Sequence, residues 1–88
     1  ADIGNGSIIM HDAVVNANAV IGDNCIINSK ALIEHDSIIH SHCHISTSVT
    51  INGNVTVGEG SFIGSGAVTN NSIVIKKNSF FKAGALIK

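Results

Sequence analysis

Histidines crowd one short segment of this sequence. Residues 33–46 read IEHDSIIHSHCHIS and contain four of the five histidines in the chain, namely His35, His40, His42 and His44. Imidazole nitrogens bind zinc, and they accept and donate protons near neutral pH. Histidines also occur on plain surfaces without any chemical role. The segment therefore leaves three interpretations open: a metal site, a site of proton transfer, or surface residues.

The composition limits the scaffold that could position these histidines. The chain has 88 residues, 44% of them hydrophobic, yet only three are Phe and none is Tyr or Trp. A single domain spanning residues 1–88 would bury only about 60–65% of the surface of the unfolded chain, so we expect it to depend on partner subunits. The first residue is Ala1 and the only methionine is Met10, so we expect this domain to be a piece of a longer chain.

A six-residue repeat runs along the whole chain. A large apolar residue recurs at every sixth position, with Thr69 as the one polar exception: Ile3, Ile9, Val15, Ile21, Ile27, Ile33, Ile39, Ile45, Ile51, Val57, Ile63, Ile75, Phe81 and Ile87. A smaller residue, mostly Ala, Ser, Cys or Val, follows four positions later, and turn-forming Gly, Asn, Asp and Ser fill the positions between. The repeat predicts a short strand followed by a turn, with one large and one small residue pointing inward.

Strands this short cannot bury a face alone. We therefore predict that the units stack into a solenoid whose core is a continuous ladder of Ile and Val. Helices are excluded because the helical periods are absent and because β-branched residues with Asn and Gly between them form helices poorly. A β-sandwich would need longer strands with a period of two and irregular turns.

The cysteines and the charges indicate where such a protein works and what it binds. Cys25 and Cys43 lack the spacing of a disulfide framework and occupy small inward positions, so we expect inert core thiols in a reducing compartment. No signal peptide or long apolar run appears, which favours a soluble cytoplasmic protein without membrane contact. All six acids lie in residues 1–60, and four of the five lysines lie in residues 61–88. Without arginine or stacking aromatic residues, this basic end favours a small phosphorylated ligand over nucleic acid.

Two segments, IGDNCIINSKALIEHDSI and VTVGEGSFIGSGAV, resemble the hexapeptide-repeat acyltransferases. This resemblance implies an all-β fold, a left-handed parallel β-helix with three hexads per triangular coil. The left hand comes from the resemblance alone, since parallel β crossovers are normally right-handed. The chain would then form about five 18-residue coils, at 3–20, 21–38, 39–56, 57–74 and, in part, 75–88. Within the family, ALIEHDSIIHSHCHIS is most similar to the branch that includes sialic acid O-acetyltransferases and bacterial amino-sugar-nucleotide N-acetyltransferases.

The resemblance assigns roles to the residues that match the motif of this branch. His35 corresponds to the general base that takes a proton from the acceptor, and Asp36 to the acid that orients its imidazole, although the family often has the longer Glu there. His44 corresponds to the residue that contacts the acetyl carbonyl or thioester end of acetyl-CoA. An imidazole suits these tasks because it can accept a proton at pH 7 and can stabilise developing oxyanion charge. Ser65 and Ala83 correspond to residues whose backbone contacts coenzyme A.

The spacing of the two histidines predicts a shared site. His35 and His44 are nine residues apart, which is half of an 18-residue coil, so in one subunit they would lie on different sides of the prism. They could meet only across subunits, and the family forms homotrimers. Coenzyme A would run between two prisms, past Thr47, Ser65 and Ala83, with the lysines of the last coil near its phosphates. The resemblance thus implies an enzyme that moves the acetyl group of acetyl-CoA to a hydroxyl or amino group of a sugar or sugar nucleotide and requires no metal.

Two other functions fit the same solenoid. A zinc hydratase of the carbonic-anhydrase kind would use a His-x4-His pair such as His35 and His40, but its third histidine, two coils upstream, would fall before residue 1. A structural, ligand-binding or ice-binding solenoid would need no catalytic site. An ice-binding face requires a flat Thr-x-Thr ladder, which the threonines of this chain do not make.

The remaining histidines carry weaker patterns. His11 and Asp12 copy the His-Asp pattern at the same place in the hexad but lie on a different side of the prism, so we expect a surface role. His40 and His42 alternate with the next histidine as zinc ligands could, but His42 falls at a corner, so the three cannot share one face. Family members usually carry an N-terminal sugar-nucleotide-binding domain, and we expect segments outside residues 1–88 to help select the acceptor.

Overall fold

A computed structural model describes all 88 residues, and its regular structure consists of fifteen strands of two residues each. In chain order they are β1 (Asp2–Ile3), β2 (Ile8–Ile9), β3 (Val14–Val15), β4 (Val20–Ile21), β5 (Ile26–Ile27), β6 (Leu32–Ile33), β7 (Ile38–Ile39), β8 (His44–Ile45), β9 (Thr50–Ile51), β10 (Thr56–Val57), β11 (Phe62–Ile63), β12 (Val68–Thr69), β13 (Val74–Ile75), β14 (Phe80–Phe81) and β15 (Leu86–Ile87). The structure contains no helix with the length and apolar character needed to span a membrane.

The strands form three parallel sheets that make the sides of a triangular prism. The first sheet has the order β1-β4-β7-β10-β13, the second β14-β11-β8-β5-β2 and the third β15-β12-β9-β6-β3. Each strand pairs with the strand one coil further on, so that Ile21 pairs with Ile39 and Ile27 with Ile45, a step of 18 residues. This register confirms the predicted solenoid of about five coils. The fold is the all-β, left-handed parallel β-helix that the resemblance implied.

Three corners join the sheets, and each corner is a two-residue turn that recurs once per coil. The first corner, between the first and second sheets, comprises residues 5–6, 23–24, 41–42, 59–60 and 77–78. The second corner, between the second and third sheets, comprises residues 11–12, 29–30, 47–48, 65–66 and 83–84. The third corner, between the third and first sheets, comprises residues 17–18, 35–36, 53–54 and 71–72.

The second residue of every turn has a positive φ. The values lie between 54° and 76°, in the left-handed region that Gly, Asn and Asp tolerate better than other residues. This conformation explains the turn-forming residues that recur between the apolar positions of the hexad. Lys30 and His42 also adopt it, at φ 62° and 63°, because the backbone pairing of neighbouring coils holds the turn in place.

The core is the predicted ladder of large and small inward residues. Seventeen buried hydrophobic residues form one cluster, in which Ile27, Ile33 and Ile39 have no exposed surface. The small inward positions are also buried, and Ser37 is one of them. Its hydroxyl donates to the carbonyl of Asn52 at 2.8 Å and accepts from the N–H of Val55 at 3.1 Å, which satisfies this polar group inside the prism.

We predict that Ile39→Ala lowers the free energy of unfolding by about 2–5 kcal/mol, because it removes a fully buried side chain and leaves a cavity in the ladder. The neighbouring Ile38 points outward and is 37% exposed, so Ile38→Ala is the matched control and should cost clearly less. Urea unfolding followed by circular dichroism measures both variants. Equal losses would contradict the placement of Ile39 in the inward ladder.

Candidate active site

His35 and Asp36 form the third-corner turn that follows β6. Asp36 is the residue with positive φ, at 61°, and Asp is among the residues that tolerate this conformation. The turn is tied to both neighbouring coils, because the N–H of Asp36 donates to the carbonyl of Ala17 at 3.1 Å and the carbonyl of His35 accepts from the N–H of Asn54 at 3.0 Å. Coil stacking therefore fixes the backbone from which both side chains project.

The two side chains contact each other on the outside of the corner. The Nδ1 atom of His35 lies 3.1 Å from Oδ2 of Asp36, and the side chains are 64% and 55% exposed. The Asp side chain is thus long enough to reach the ring. With the carboxylate beside Nδ1, a neutral imidazole would carry its proton on Nδ1 and leave Nε2 as the basic atom.

His44 lies on the outer face of the second sheet and is half-buried. Its ring meets Phe62 edge-on with the centroids 5.1 Å apart, and Phe62 stacks on Phe80 at the same separation. The Nε2 atom of His44 is buried and has no hydrogen-bond partner. Because buried N–H groups without an acceptor are rarer than unpaired acceptors, we expect a neutral His44 to carry its proton on Nδ1. Nδ1 is therefore the atom with which His44 can donate to a ligand.

The two histidines do not meet within one chain. His35 is at the corner between the third and first sheets, whereas His44 belongs to the second sheet, which is the side of the prism opposite that corner. The predicted separation of the two residues is confirmed.

Ser65 and Ala83 begin two successive turns of the second corner. Both residues are exposed, and their backbone N–H groups donate to no acceptor in the chain. The glycines that complete these turns, Gly66 and Gly84, have φ of 73° and 76°, and no atom lies within 4 Å of where their side chains would begin. The turns therefore offer free N–H groups beside open space, next to the sheet that carries His44.

The lysines of the last coil are divided among the three corners. Lys82 directly precedes Ala83 at the second corner, whereas Lys76 and Lys77 lie at the first corner and Lys88 follows β15. Lys82 is therefore the only one of the four that accompanies the Ser65 and Ala83 turns. Of the predicted lysine contacts with a phosphate, the geometry favours this one.

Gly53 belongs to the same corner as His35 and was not singled out by its sequence pattern. It follows His35 by one coil, it is buried, and the imidazole of His35 lies over it. The only sequence signal that leads to this position is a step of 18 residues from the histidine.

The other histidines lie apart from this corner. His42 is at the first corner, where its Nε2 is 3.9 Å from Oε2 of Glu59. At the second corner, Nε2 of His11 is 3.2 Å from Oδ2 of Asp12, and the two side chains are 84% and 58% exposed. As predicted, this second His–Asp pair is on a different side from the first. Nowhere in the structure do three or more His, Cys, Asp or Glu side chains converge as metal ligands would.

Both cysteines are buried thiols in the core ladder. Cys25 and Cys43 donate to the backbone carbonyls of His40 and Gly58 at 3.1 Å and 3.2 Å. Burial raises the pKa of the Cys43 thiol above its ordinary value. These contacts indicate packing residues and agree with the expectation of inert thiols.

The fold and the exposed His–Asp pair define a hexapeptide solenoid with a candidate catalytic corner. The sequence pattern of the family described as bacterial transferase hexapeptide (six repeats) matches residues 1–35 and 36–71. The chain belongs to this family.

Solved structures of acetyltransferases share the fold. The acetyltransferase domain of PglB from Neisseria gonorrhoeae, in complex with acetyl coenzyme A, is 33% identical with a TM-score of 0.92, over 98% of this chain and 44% of that chain. Perosamine N-acetyltransferase from Caulobacter crescentus, a histidine-to-asparagine mutant in complex with CoA and GDP-perosamine, is 31% identical with a TM-score of 0.97, over 99% and 41%. A hexapeptide transferase family protein from Anaplasma phagocytophilum, 20% identical with a TM-score of 0.58 over 96% and 56%, shares the fold alone.

The chain thus spans less than half of the length of the PglB domain and of the perosamine enzyme. A comparison with curated proteins finds no match.

We predict that neither cysteine reacts appreciably with iodoacetamide in the folded chain at about pH 8, because both are buried and because the raised pKa of Cys43 leaves it little thiolate. Both should react once urea unfolds the chain. The exposed variant Ser65→Cys is the positive control and should be alkylated in the folded state. Mass spectrometry counts the labels, and rapid native labelling of Cys43 would contradict its core position.

Proposed function

We propose that this chain is the catalytic β-helix of an acetyltransferase that uses acetyl-CoA as donor and a hydroxyl or amino group of a sugar or sugar nucleotide as acceptor. The observation that carries the proposal is the exposed contact of 3.1 Å between Nδ1 of His35 and Oδ2 of Asp36. It occurs in a chain that is 33% and 31% identical to structures containing acetyl-CoA, or CoA with GDP-perosamine. The pair supplies a base, and the similar structures suggest the reaction that it serves.

His35 acts through Nε2 because its Nδ1 faces Asp36. Nε2 takes the proton of the acceptor O–H or N–H while the acceptor atom attacks the acetyl carbonyl carbon. The new carbon–oxygen or carbon–nitrogen bond forms, the carbon–sulfur bond of the thioester breaks, and the imidazolium returns the proton to the departing thiolate. The carboxylate of Asp36 stays ionised and stabilises the imidazolium between these two transfers.

His44 acts on the acetyl group from its position on the second sheet. Its Nδ1–H donates to the carbonyl oxygen, where negative charge develops as the acceptor attacks. The packing of its ring against Phe62 and the burial of Nε2 hold the donor in one direction, which avoids reorganisation during the reaction.

A homotrimer brings the two histidines together. In a ring of three prisms, the third corner of one subunit can face the second sheet of the next, so His35 and His44 come from different copies. The outer face of that sheet supports this arrangement because it is apolar around His44: Ile8, Ile26 and Phe80 are 52%, 36% and 72% exposed. Such surfaces commonly mark a protein interface.

Coenzyme A lies along the second corner in this proposal. The free N–H groups of Ser65 and Ala83 bind its pantetheine arm, and Lys82 pairs with a phosphate at the end of the prism. This corner borders the sheet with His44, so the thioester can reach that residue. The cytoplasmic location stays a prediction.

We predict that His35→Ala lowers the rate of acetyl transfer by about 10²- to 10⁴-fold, the usual contribution of a general base, with little change in melting temperature because the side chain is 64% exposed. The assay is release of free coenzyme A thiol by the full-length protein, with GDP-perosamine as an amino acceptor and sialic acid as a hydroxyl acceptor.

The matched control for this variant is His11→Ala. It removes a histidine from a similar His–Asp pair at a different corner and should leave the rate unchanged. Full activity of His35→Ala, with either acceptor that the unaltered protein uses, would contradict the role of His35 as the base.

We predict that two inactive variants complement each other when they share a trimer. His35→Ala and His44→Ala chains, mixed in equal amounts, unfolded and refolded together, should recover about a quarter of the unaltered activity, because random pairing places both native histidines at about one quarter of the interfaces. Each variant refolded alone is the control. Recovery absent from mixtures whose co-assembly is verified would show that the two histidines do not form one site across subunits.

A further inference from the structure

We propose that Gly53 is a positioning residue for His35. The absence of a side chain at Gly53 lets the imidazole lie back against the next coil, with Nδ1 toward Asp36 and Nε2 free. This inference rests on the proposed role of His35 as the base, but the orientation of the ring can be measured without any assay of activity.

The distances around Gly53 carry this proposal. A Cβ atom at residue 53 would lie 2.8 Å from both Cε1 and Nε2 of His35 and 3.4 Å from its Cδ2. A hydrogen-bonding partner in the plane of the ring would be about equally far from Cε1 and Cδ2, so these values place the Cβ position over the ring face. The ring therefore rests on Gly53, and the in-plane lone pair of Nε2 points elsewhere. Any side chain at this position would displace the atom that takes the proton.

Backbone geometry does not explain this glycine. Its φ is outside the left-handed region, and the three atoms nearest to an added Cβ all belong to the ring of His35. Gly22 is different, because a Cβ there would lie 2.6 Å from the backbone N of Ser41. The fold itself therefore accepts a side chain at Gly53, and only the ring of His35 has to move.

The chain contains its own comparison for this effect. His11 and Asp12 form the same pair at the same hexad position, but the residue one coil further on is Ser29 instead of glycine. There the ring turns the other nitrogen, Nε2, to the carboxylate at 3.2 Å, and the histidine is 84% exposed against 64% for His35. The pair that rests on glycine is the one that keeps Nε2 free.

Nitrogen NMR of the imidazoles tests the proposal directly. In the unaltered chain we expect neutral His35 to carry its proton on Nδ1, and Gly53→Ala should shift this tautomer towards Nε2–H, as the pair at His11 suggests. Asn71→Ala, one coil beyond Gly53 in the same corner, is the control and should leave the signals of His35 unchanged. An unchanged tautomer in folded Gly53→Ala would overturn the proposal.

Thermal unfolding tests the same contact even if Gly53→Ala folds poorly. In a His35→Ala background the ring is gone, so Gly53→Ala should raise the melting temperature by roughly 2–8 °C, as a Gly to Ala change does where the backbone accepts it. In the unaltered background the gain should be lost or reversed. If Gly53→Ala destabilises both backgrounds equally, the clash is with the coil and the inference fails.

Kinetics separate this inference from the proposed function. Gly53→Ala should lower kcat by about 10²-fold, the effect of a misplaced catalytic group, and change KM for acetyl-CoA little. If the tautomer shifts while His35→Ala proves fully active, Gly53 orients the ring but His35 is not the base. If His35→Ala is inactive and the tautomer of Gly53→Ala is unchanged, the proposed function survives and the role of Gly53 does not.

Discussion

The stacking of one coil on the next at a register of 18 residues is the constraint on which the whole structure depends. Each strand is only two residues long and pairs solely with the coils above and below it. A fully buried aliphatic side chain contributes roughly 1.5–3 kcal/mol, and the inward ladder collects this contribution at successive hexads. Residues with no local partner are thus ordered by their equivalents one coil away, as in other solenoids.

The same register sets the chemistry of the corners. Because every turn must adopt a positive φ at its second residue, the corners favour Asn, Asp and Gly, and Asp36 fills this requirement while its carboxylate meets His35. The neighbour of His35 in space is the residue 18 positions later, Gly53, and not a residue nearby in sequence. The triangular cross-section also places a corner opposite a sheet, which keeps His35 and His44 apart in one chain and makes a second copy part of the proposed site.

Much of this arrangement could be predicted from the sequence. The hexad identified the inward ladder, the corners and the opposite placement of His35 and His44, because each depends only on position modulo 18. Side-chain orientation could not be predicted in this way: the ring of His35 over Gly53, and the buried Nε2 of His44 beside Phe62, depend on contacts between coils in three dimensions. The left hand of the solenoid also lay beyond the pattern and came from resemblance to a family.

The measurement that tests the central claim most directly is isothermal titration of acetyl-CoA into this chain, with its oligomeric state determined by sedimentation in the same buffer. The account predicts a trimer that binds about one acetyl-CoA per subunit, with affinity reduced by His44→Ala and unaffected by His11→Ala. A verified trimer that binds no acetyl-CoA would contradict the assignment of the donor. A monomer that binds with the same affinity as a trimer would contradict a site shared between subunits.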